Sequence, residues 1–206
     1  MTKIKIACPA GSGMNFAQNL LQLSFYDTKN EFTTGGHERK YILEEVPTLV
    51  ILRNPYQSVA SAAERWISDY DHVSLRGHES LIKNLNTADI VKQIISESTW
   101  YKEFFKNIED LKHVKIFTFD MLTKEPDIFV KKVSEHFSID SKIAQLSIED
   151  VFKAVADSGN KNRIPRTKTE GRSKVDELIR IIFPEKEFEC LSIYLYLKEK
   201  IESGLL

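Results

Sequence analysis

The chain has 206 residues, 42% of them apolar and 29% charged, which is typical of one folded domain with a sizeable core. It carries 29 Lys and Arg against 30 Asp and Glu, and this net charge of −1 argues against a basic surface for nonspecific nucleic-acid binding. Cys8 and Cys190 match no zinc or redox spacing, which excludes a disulfide scaffold or a zinc module and favours two reduced thiols.

The chain begins with a pattern typical of a strand, a loop and a helix. Apolar and basic residues alternate from Lys3 to Cys8, small residues follow from Pro9 to Gly13, and helical spacing starts at Met14. The apolar stretch before Pro9 is too short for a signal peptide or a membrane span. We therefore expect a cytoplasmic protein without a membrane segment.

A second strand-turn-helix unit is predicted around residue 50. Leu49 to Leu52 is a continuous apolar run, as in a strand buried on both faces of a parallel sheet. Asn54 can cap the helix that follows, and Pro55 suits its first position. Apolar residues from Val59 to Ile67 then recur at helical spacing.

The remaining elements are predicted from similar patterns. We expect a short strand at Phe32 to Thr34 that continues into a flexible Gly35-Gly36, and one or two helices between Thr87 and Leu111. The pattern also predicts a strand at Val114 to Phe119 and a helix at Asp127 to Phe137. A last helix is predicted from about Glu185 to Ser203, with five residues facing inward: Phe188, Leu191, Tyr194, Leu195 and Ile201.

One segment has little to bury. Asn160 to Lys174 contains six basic residues against Glu170 alone, a net charge of +5. Such a segment is either a solvated loop or a mobile loop that becomes ordered over a bound anion, and we predict the second.

Strands that alternate with helices predict an α/β fold, with a central parallel sheet covered on both faces in three layers. We find no internal repeat and no linker, so residues 1–206 are predicted to form a single domain. Ligands of such sheets bind at the carboxyl ends of the strands. Both the glycine loop and Arg53 fall at such ends.

The loop Gly11-Ser12-Gly13 can present backbone N–H groups to an anion at a helix start, or it can be a tight turn without a ligand. Arg53 offers a planar fork to phosphate oxygens, or it forms a salt bridge at the end of its strand. Whether the Ser61 hydroxyl reaches a phosphate bound by Arg53 depends on how the chain enters the helix that contains Ser61. The chain has no Gly-Lys pair, which argues against an ATP- or GTP-hydrolysing P-loop enzyme.

Together these segments resemble the PAPS-dependent sulfotransferase family, where PAPS is 3′-phosphoadenosine 5′-phosphosulfate. Pro9 to Phe16 resembles its 5′-phosphosulfate loop, and Val50 to Pro55 followed by Ser61 is similar to its 3′-phosphate motif. Val114 to Leu122 looks like its late strand and turn, and Arg163 to Arg172 stands where the family has a basic loop over the nucleotide.

The resemblance implies a P-loop-like nucleotide-binding fold and transfer of a sulfuryl group from PAPS to a hydroxyl or amine, with PAP as the product. The acceptor is expected to be a small molecule or a glycan, with no metal, nucleic acid or membrane involved. The nucleotide-binding residues that it implies are Gly11, Ser12, Gly13, Met14, Asn15, Phe16, Arg53, Ser61, Arg163, Arg166 and Arg172.

The resemblance also points to His37 as the general base, since the family's catalytic histidine or glutamate precedes the 3′-phosphate strand; Glu38 is the alternative. A surface turn is the competing interpretation. The family's loop Lys or Arg aligns with Gly11, and Arg39 and Lys40 are candidates to supply the missing cation.

Two further functions stay open. Gly11 favours a PAP- or PAPS-binding protein of the same fold without transferase activity. A nucleoside or nucleotide kinase is the weaker alternative, which the absence of Gly-Lys-Ser/Thr opposes.

Overall fold

A computed structural model describes residues 3–25, 31–69, 86–139 and 170–206. Its sheet has four parallel strands in the order β2-β1-β3-β4. The strands are β1 (Lys3–Ala7), β2 (Glu31–Gly36), β3 (Thr48–Leu52) and β4 (Val114–Thr118). The prediction of an α/β fold with a parallel sheet is confirmed.

Helices connect and cover these strands. Within the described ranges they are α1 (Met14–Ser24), α2 (Lys40–Leu43), α3 (Pro55–Asp69), α4 (Thr87–Phe105), α5 (Phe119–Lys124), α6 (Pro126–Phe137), α7 (Glu170–Ile182) and α8 (Glu189–Glu202). A 3-10 turn at Ile108–Asp110 lies between α4 and β4.

The sheet separates two hydrophobic cores, because successive side chains of a strand point to opposite faces. Leu49 and Ile51 of β3 belong to one core, together with residues of α1 and α6. Val50 and Leu52 belong to the other, together with residues of α3, α4, α7 and α8. The three predicted layers are therefore present, and all five residues of β3 are buried as the apolar run indicated.

The strand order creates a crevice between β1 and β3. The chain passes from β1 to β2 on one side, then crosses to β3 on the other side of β1. Where connections leave neighbouring parallel strands in opposite directions, a crevice opens beyond their carboxyl ends and commonly holds a ligand. Residues 8–13 after β1 and Arg53 after β3 both lie at this point.

The start of α3 is formed as predicted. The helix begins at Pro55, and the Asn54 side-chain oxygen accepts a hydrogen bond from the Tyr56 N–H at 3.0 Å. Because this cap joins directly to β3, it sets the direction in which Arg53 leaves the sheet.

Gly35 and Gly36 are not a flexible approach, which corrects the sequence prediction: both belong to β2. A Cβ at Gly35 would lie 2.7 Å from the Lys5 side chain, and one at Gly36 would lie 2.4 Å from the Tyr41 ring. Gly36 also has φ +133°, where a side chain is strained. The glycines permit close packing here.

Two predictions near the C-terminus are wrong. Residues 160–169 lie outside the described ranges, but Glu170 to Lys174 is the start of α7 instead of a loop, since Val175 and Ile179 anchor this helix in the core. The last helix begins at Glu189, and Leu195 is 55% exposed instead of facing inward.

Candidate functional site

The glycine loop after β1 is pressed against helix α3. Gly11 has φ +75° and Gly13 has φ +89°, a backbone conformation that favours glycine. A Cβ at Gly11 would lie 2.5 Å from the Ser58 carbonyl oxygen and 2.9 Å from the Ser61 Cβ. The close approach of two backbones therefore requires glycine at position 11 and brings Ser61 beside the loop.

The first turn of α1 has no side-chain cap. Its N-cap is Gly13, and the first turn contains no acidic residue. The N–H groups of a first helical turn have no acceptor within the helix, so this end suits an anion. The Met14 and Phe16 side chains are buried in the core, and of these two residues only the backbone is placed to meet a ligand.

Ser12 is engaged inside the protein. The Ser58 hydroxyl donates to the Ala10 carbonyl oxygen at 2.9 Å, so its oxygen accepts from the Ser12 hydroxyl at 2.8 Å. The Ser12 N–H donates to the Pro9 carbonyl oxygen at 3.2 Å. These bonds brace the loop against α3, and a contact of Ser12 with phosphate stays a prediction. Ser58 had no sequence signal beyond its place on the predicted helix.

Arg53 connects three strand ends. Its guanidinium Nη1 donates to the Gly11 carbonyl oxygen, and its Cζ lies 4.2 Å from the ring centroid of Phe119, which follows β4. The Tyr101 hydroxyl donates to the Arg53 carbonyl oxygen at 2.8 Å. Within the described residues Arg53 forms no salt bridge: its side chain contacts the Gly11 carbonyl, the Gln57 side-chain oxygen at 3.4 Å and the Phe119 ring.

The electrostatics of Arg53 favour an anion beside it. Burial, and secondly the nearby charge of Arg172, lower the pKa of Arg53 to about 10. Arg53 still carries its charge at neutral pH, and both effects would be relieved by a negative charge nearby. We call the glycine loop, the first turn of α1 and Arg53 the candidate anion site.

Arg172 is held on α7 between acidic side chains. Its Nε lies 2.8 Å from an oxygen of Asp176, its Nη1 lies 3.6 Å from Glu64, and its Nη2 donates to the Gln57 carbonyl oxygen at 2.8 Å. These contacts join α7 to α3. Contact of Arg172 with phosphate stays a prediction, and Arg163 and Arg166 lie outside the described residues.

His37 lies in the turn between β2 and α2, next to the candidate anion site. Its Nδ1 is 2.9 Å from the Cys8 carbonyl oxygen. A carbonyl can only accept, so Nδ1 carries the proton of the neutral ring and the lone pair is on Nε2. Glu38 instead forms an ion pair with Lys40 at 2.7 Å.

Arg39 is not placed to supply a cation to the loop. Its Nη1 donates to the carbonyl oxygens of Glu103 at 3.1 Å and Phe104 at 3.3 Å, and also to that of Lys106. These are the unpaired carbonyls at the C-terminal end of α4, where a cation is favourable. Lys40 is engaged with Glu38, so the sequence-based suggestion for both residues is not supported by these contacts.

A cavity of about 670 Å³ adjoins the candidate anion site. His37, Glu38 and Tyr41 line one side of it, and Pro9, Ala10 and Ser58 separate it from the glycine loop. Its volume lies within the range of small-molecule sites. We call it the His37 cavity.

Glu97 is among the residues of the His37 cavity that sequence reasoning missed. Glu97 lines it from α4 but is only 6% exposed, and its Oε1 accepts a hydrogen bond from Gln93 Nε2 at 2.9 Å. Burial raises the pKa of Glu97. A glutamate within a helical stretch is typical of a solvated face, so no sequence signal marked it.

Several solved protein chains are similar to this one. The crystal structure of a sulfotransferase from Alicyclobacillus acidocaldarius is similar to this chain, with a TM-score of 0.40 and 10% sequence identity, over 87% of this chain and 96% of that chain. A likeness of this size does not identify the family of the chain. No protein-family model and no curated protein matches the chain.

The described residues contain neither a metal-binding cluster nor a helix that could span a membrane. No group of three or more His, Cys, Asp or Glu side chains in the described ranges is arranged to hold a metal ion. None of the helices in that part of the chain combines the length and apolar character needed to cross a membrane.

Proposed function

We propose that the protein is a PAPS-dependent sulfotransferase with a P-loop-like nucleotide site. The observation that carries the proposal is the meeting of the glycine loop and Arg53 at the crevice between β1 and β3, with the His37 cavity beside them. An anion site and an acceptor-sized cavity that share a wall are what group transfer between two bound molecules requires.

The residues of the candidate anion site fit a nucleotide with separate phosphate groups. The uncapped start of α1 suits the phosphate that carries the sulfuryl group, and Arg53 with Ser61 suits the 3′-phosphate. PAPS supplies the sulfuryl group and leaves as PAP. The chain's contribution is to position the donor and to stabilise negative charge on the leaving phosphate.

His37 is the proposed general base. The lone pair of Nε2 takes the proton of an acceptor hydroxyl. At the same time the hydroxyl oxygen bonds to sulfur, and the bond between sulfur and the phosphate oxygen of PAPS breaks. The Cys8 carbonyl holds the ring in the required tautomer through Nδ1. Glu38 is the less suitable base, since its carboxylate is engaged in an ion pair with Lys40.

Calorimetry with PAP and 5′-AMP tests the nucleotide site. We expect PAP to bind in the low-micromolar range or tighter, about −8 kcal/mol, and far more tightly than 5′-AMP, which lacks the 3′-phosphate. Equal affinities for the two nucleotides would refute the proposal. Transfer of label from PAPS to a mixed acceptor extract tests the chemistry.

A PAP- or PAPS-binding protein without transferase activity is the second candidate. The observation that favours it is at Gly11, where a Cβ would lie 2.5 Å from the Ser58 carbonyl, so the family's loop Lys or Arg has no room at this position. Tight PAP binding with no transfer of label to any acceptor in the extract would select this candidate.

A further inference from the structure

The wall of the His37 cavity formed by α4 is a regular stripe. Its members recur at i, i+3, i+4, i+7 and i+8, which places them on one face of the helix. They are Gln93, Ser96, Glu97, Trp100 and Tyr101. This face combines polar groups at one end with aromatic rings at the other, so it offers both hydrogen bonds and aromatic contact to an occupant.

Glu97 is the chemically unusual member of the stripe. It is 94% buried, and the ion pairs among the described residues do not include it. Its hydrogen-bond donor is the neutral amide of Gln93, 2.9 Å from Oε1. A buried carboxylate without a cationic partner is costly, which is consistent with the raised pKa of Glu97.

The charge around the cavity is negative. Its lining contains Glu38 and Glu97 but no Lys or Arg among the described residues. Lys40 offsets the charge of Glu38 at 2.7 Å, and it lies 5.1 Å from the Tyr41 ring centroid without lining the cavity. Among the described residues, Glu97 on the α4 side is therefore the carboxyl of the lining that has no cationic partner.

Aromatic rings border the same volume. Trp100 is 54% exposed although it is a large apolar side chain, and Tyr41 and Tyr101 line the cavity with it. The Tyr101 hydroxyl is engaged with the Arg53 carbonyl, so Tyr101 contributes its ring. Aromatic faces attract cations, most strongly where water is excluded.

We infer that the His37 cavity binds an acceptor that carries a protonated amine, with Glu97 as its anionic partner and Trp100 against its apolar part. That the amine is a sulfuryl acceptor rests on the proposed function, but the binding of an amine in this cavity does not depend on it. An incoming ammonium group donates to the Glu97 carboxylate and compensates its buried charge. Glu97 is thus a specificity-determining residue, separate from the proton transfer at His37.

Three phenols of matched size test the inference by calorimetry. Tyramine carries an ammonium group, para-propylphenol replaces it with a methyl group, and phloretic acid carries a carboxylate. We expect tyramine to bind about tenfold or more tightly than para-propylphenol, since one charge-assisted hydrogen bond separates them, with phloretic acid the weakest. Equal affinities, a preference for phloretic acid, or no tyramine binding at about 10 mM would overturn the inference.

Glu97→Gln is the matched variant, because it keeps the shape and the acceptor oxygen facing Gln93 but removes the charge. It should abolish the preference for tyramine while the affinity for PAP stays unchanged. Glu103→Gln, on the same helix but outside the cavity lining, should keep the preference. A preference that survives in Glu97→Gln would contradict the assignment.

The PAP measurement separates the two proposals. Tyramine selectivity that depends on Glu97, together with absent PAP binding, would refute the proposed function and leave the amine site standing. Tight PAP binding without any tyramine preference would refute the amine site and leave the proposed function standing.

Discussion

The candidate anion site and the His37 cavity share a wall but differ in charge and in construction. The anion site is cationic, through Arg53, and its parts follow the carboxyl ends of adjacent strands. The cavity contains the carboxyl group of Glu97, and its lining comes from the turn after β2 and from helices α2, α3 and α4, besides Pro9 and Ala10. Short local motifs thus specify the candidate anion site, whereas the packing of helices forms the His37 cavity.

In the proposed reaction, this difference in charge keeps the two substrates apart. An anionic donor is attracted to the Arg53 side, and the Glu97 side disfavours it. A cationic acceptor has the opposite preference. We expect the largest effects on binding and turnover from variants that remove a key side chain of one site and leave the other site intact.

Replacing Arg53 should have the largest effect on nucleotide binding. Arg53→Ala is expected to weaken PAP binding by about 2–4 kcal/mol, because a charge-assisted phosphate contact is lost from a partly buried position. Calorimetry measures the change. Arg180→Ala is the control, since it removes another arginine, one of α7 whose Cζ lies 4.8 Å from the Tyr56 ring centroid. Unchanged PAP affinity in a folded Arg53→Ala protein would refute the assignment, and an unfolded one would assign Arg53 a structural role.

Replacing His37 should lower turnover without changing the affinity for the nucleotide. His37→Ala is expected to lower the transfer rate by about 100-fold or more, the usual cost of losing a general base, with PAP affinity nearly unchanged. Glu38→Ala is the matched comparison. Retained turnover in His37→Ala together with its loss in Glu38→Ala would transfer the role to the carboxylate, and unchanged turnover in both would place the base elsewhere.

Two glycines with the same φ of +75° separate backbone strain from close packing. Gly204→Ala meets no atom within 4 Å, so it should cost about 1–2 kcal/mol from the left-handed conformation alone. Gly11→Ala adds the contact with the Ser58 carbonyl and should cost more. Denaturant unfolding measures both. Equal losses would show that the loop does not press on α3.

Ser61 should contribute modestly to nucleotide binding. Ser61→Ala keeps the Cβ that faces Gly11 and removes only the hydroxyl, so PAP binding should weaken by about 1 kcal/mol with the melting temperature unchanged. If PAP affinity did not change, the Ser61 hydroxyl would not contact the 3′-phosphate.

The smallest expected effect is a pH-dependent gain in the stability of the Glu97→Gln variant. Burial raises the pKa of Glu97 in the folded protein, so the folded state holds its proton more firmly than the unfolded chain. The cost of the buried charge is absent below the unfolded pKa and grows as pH rises through the folded pKa. Glu97→Gln should therefore raise the melting temperature at about pH 7 but not at about pH 4, whereas Glu103→Gln should not.

The elements that depend on local pattern could be predicted from the sequence. The apolar run of β3, the Asn54 cap before α3 and the loop between β1 and α1 were all predictable, because alternation, capping and glycine spacing act over a few residues. The parallel sheet followed from strands that alternate with helices.

Which side chains contact one another depends on the tertiary structure. Gly35 and Gly36 belong to β2 because Lys5 and Tyr41 pack against them, and Arg39 turns to the end of α4 instead of the loop. Glu97 looks like any surface glutamate in sequence. Its burial depends on how α4 packs beside the turn that carries His37, and contacts between residues so distant in the chain leave no local pattern to read.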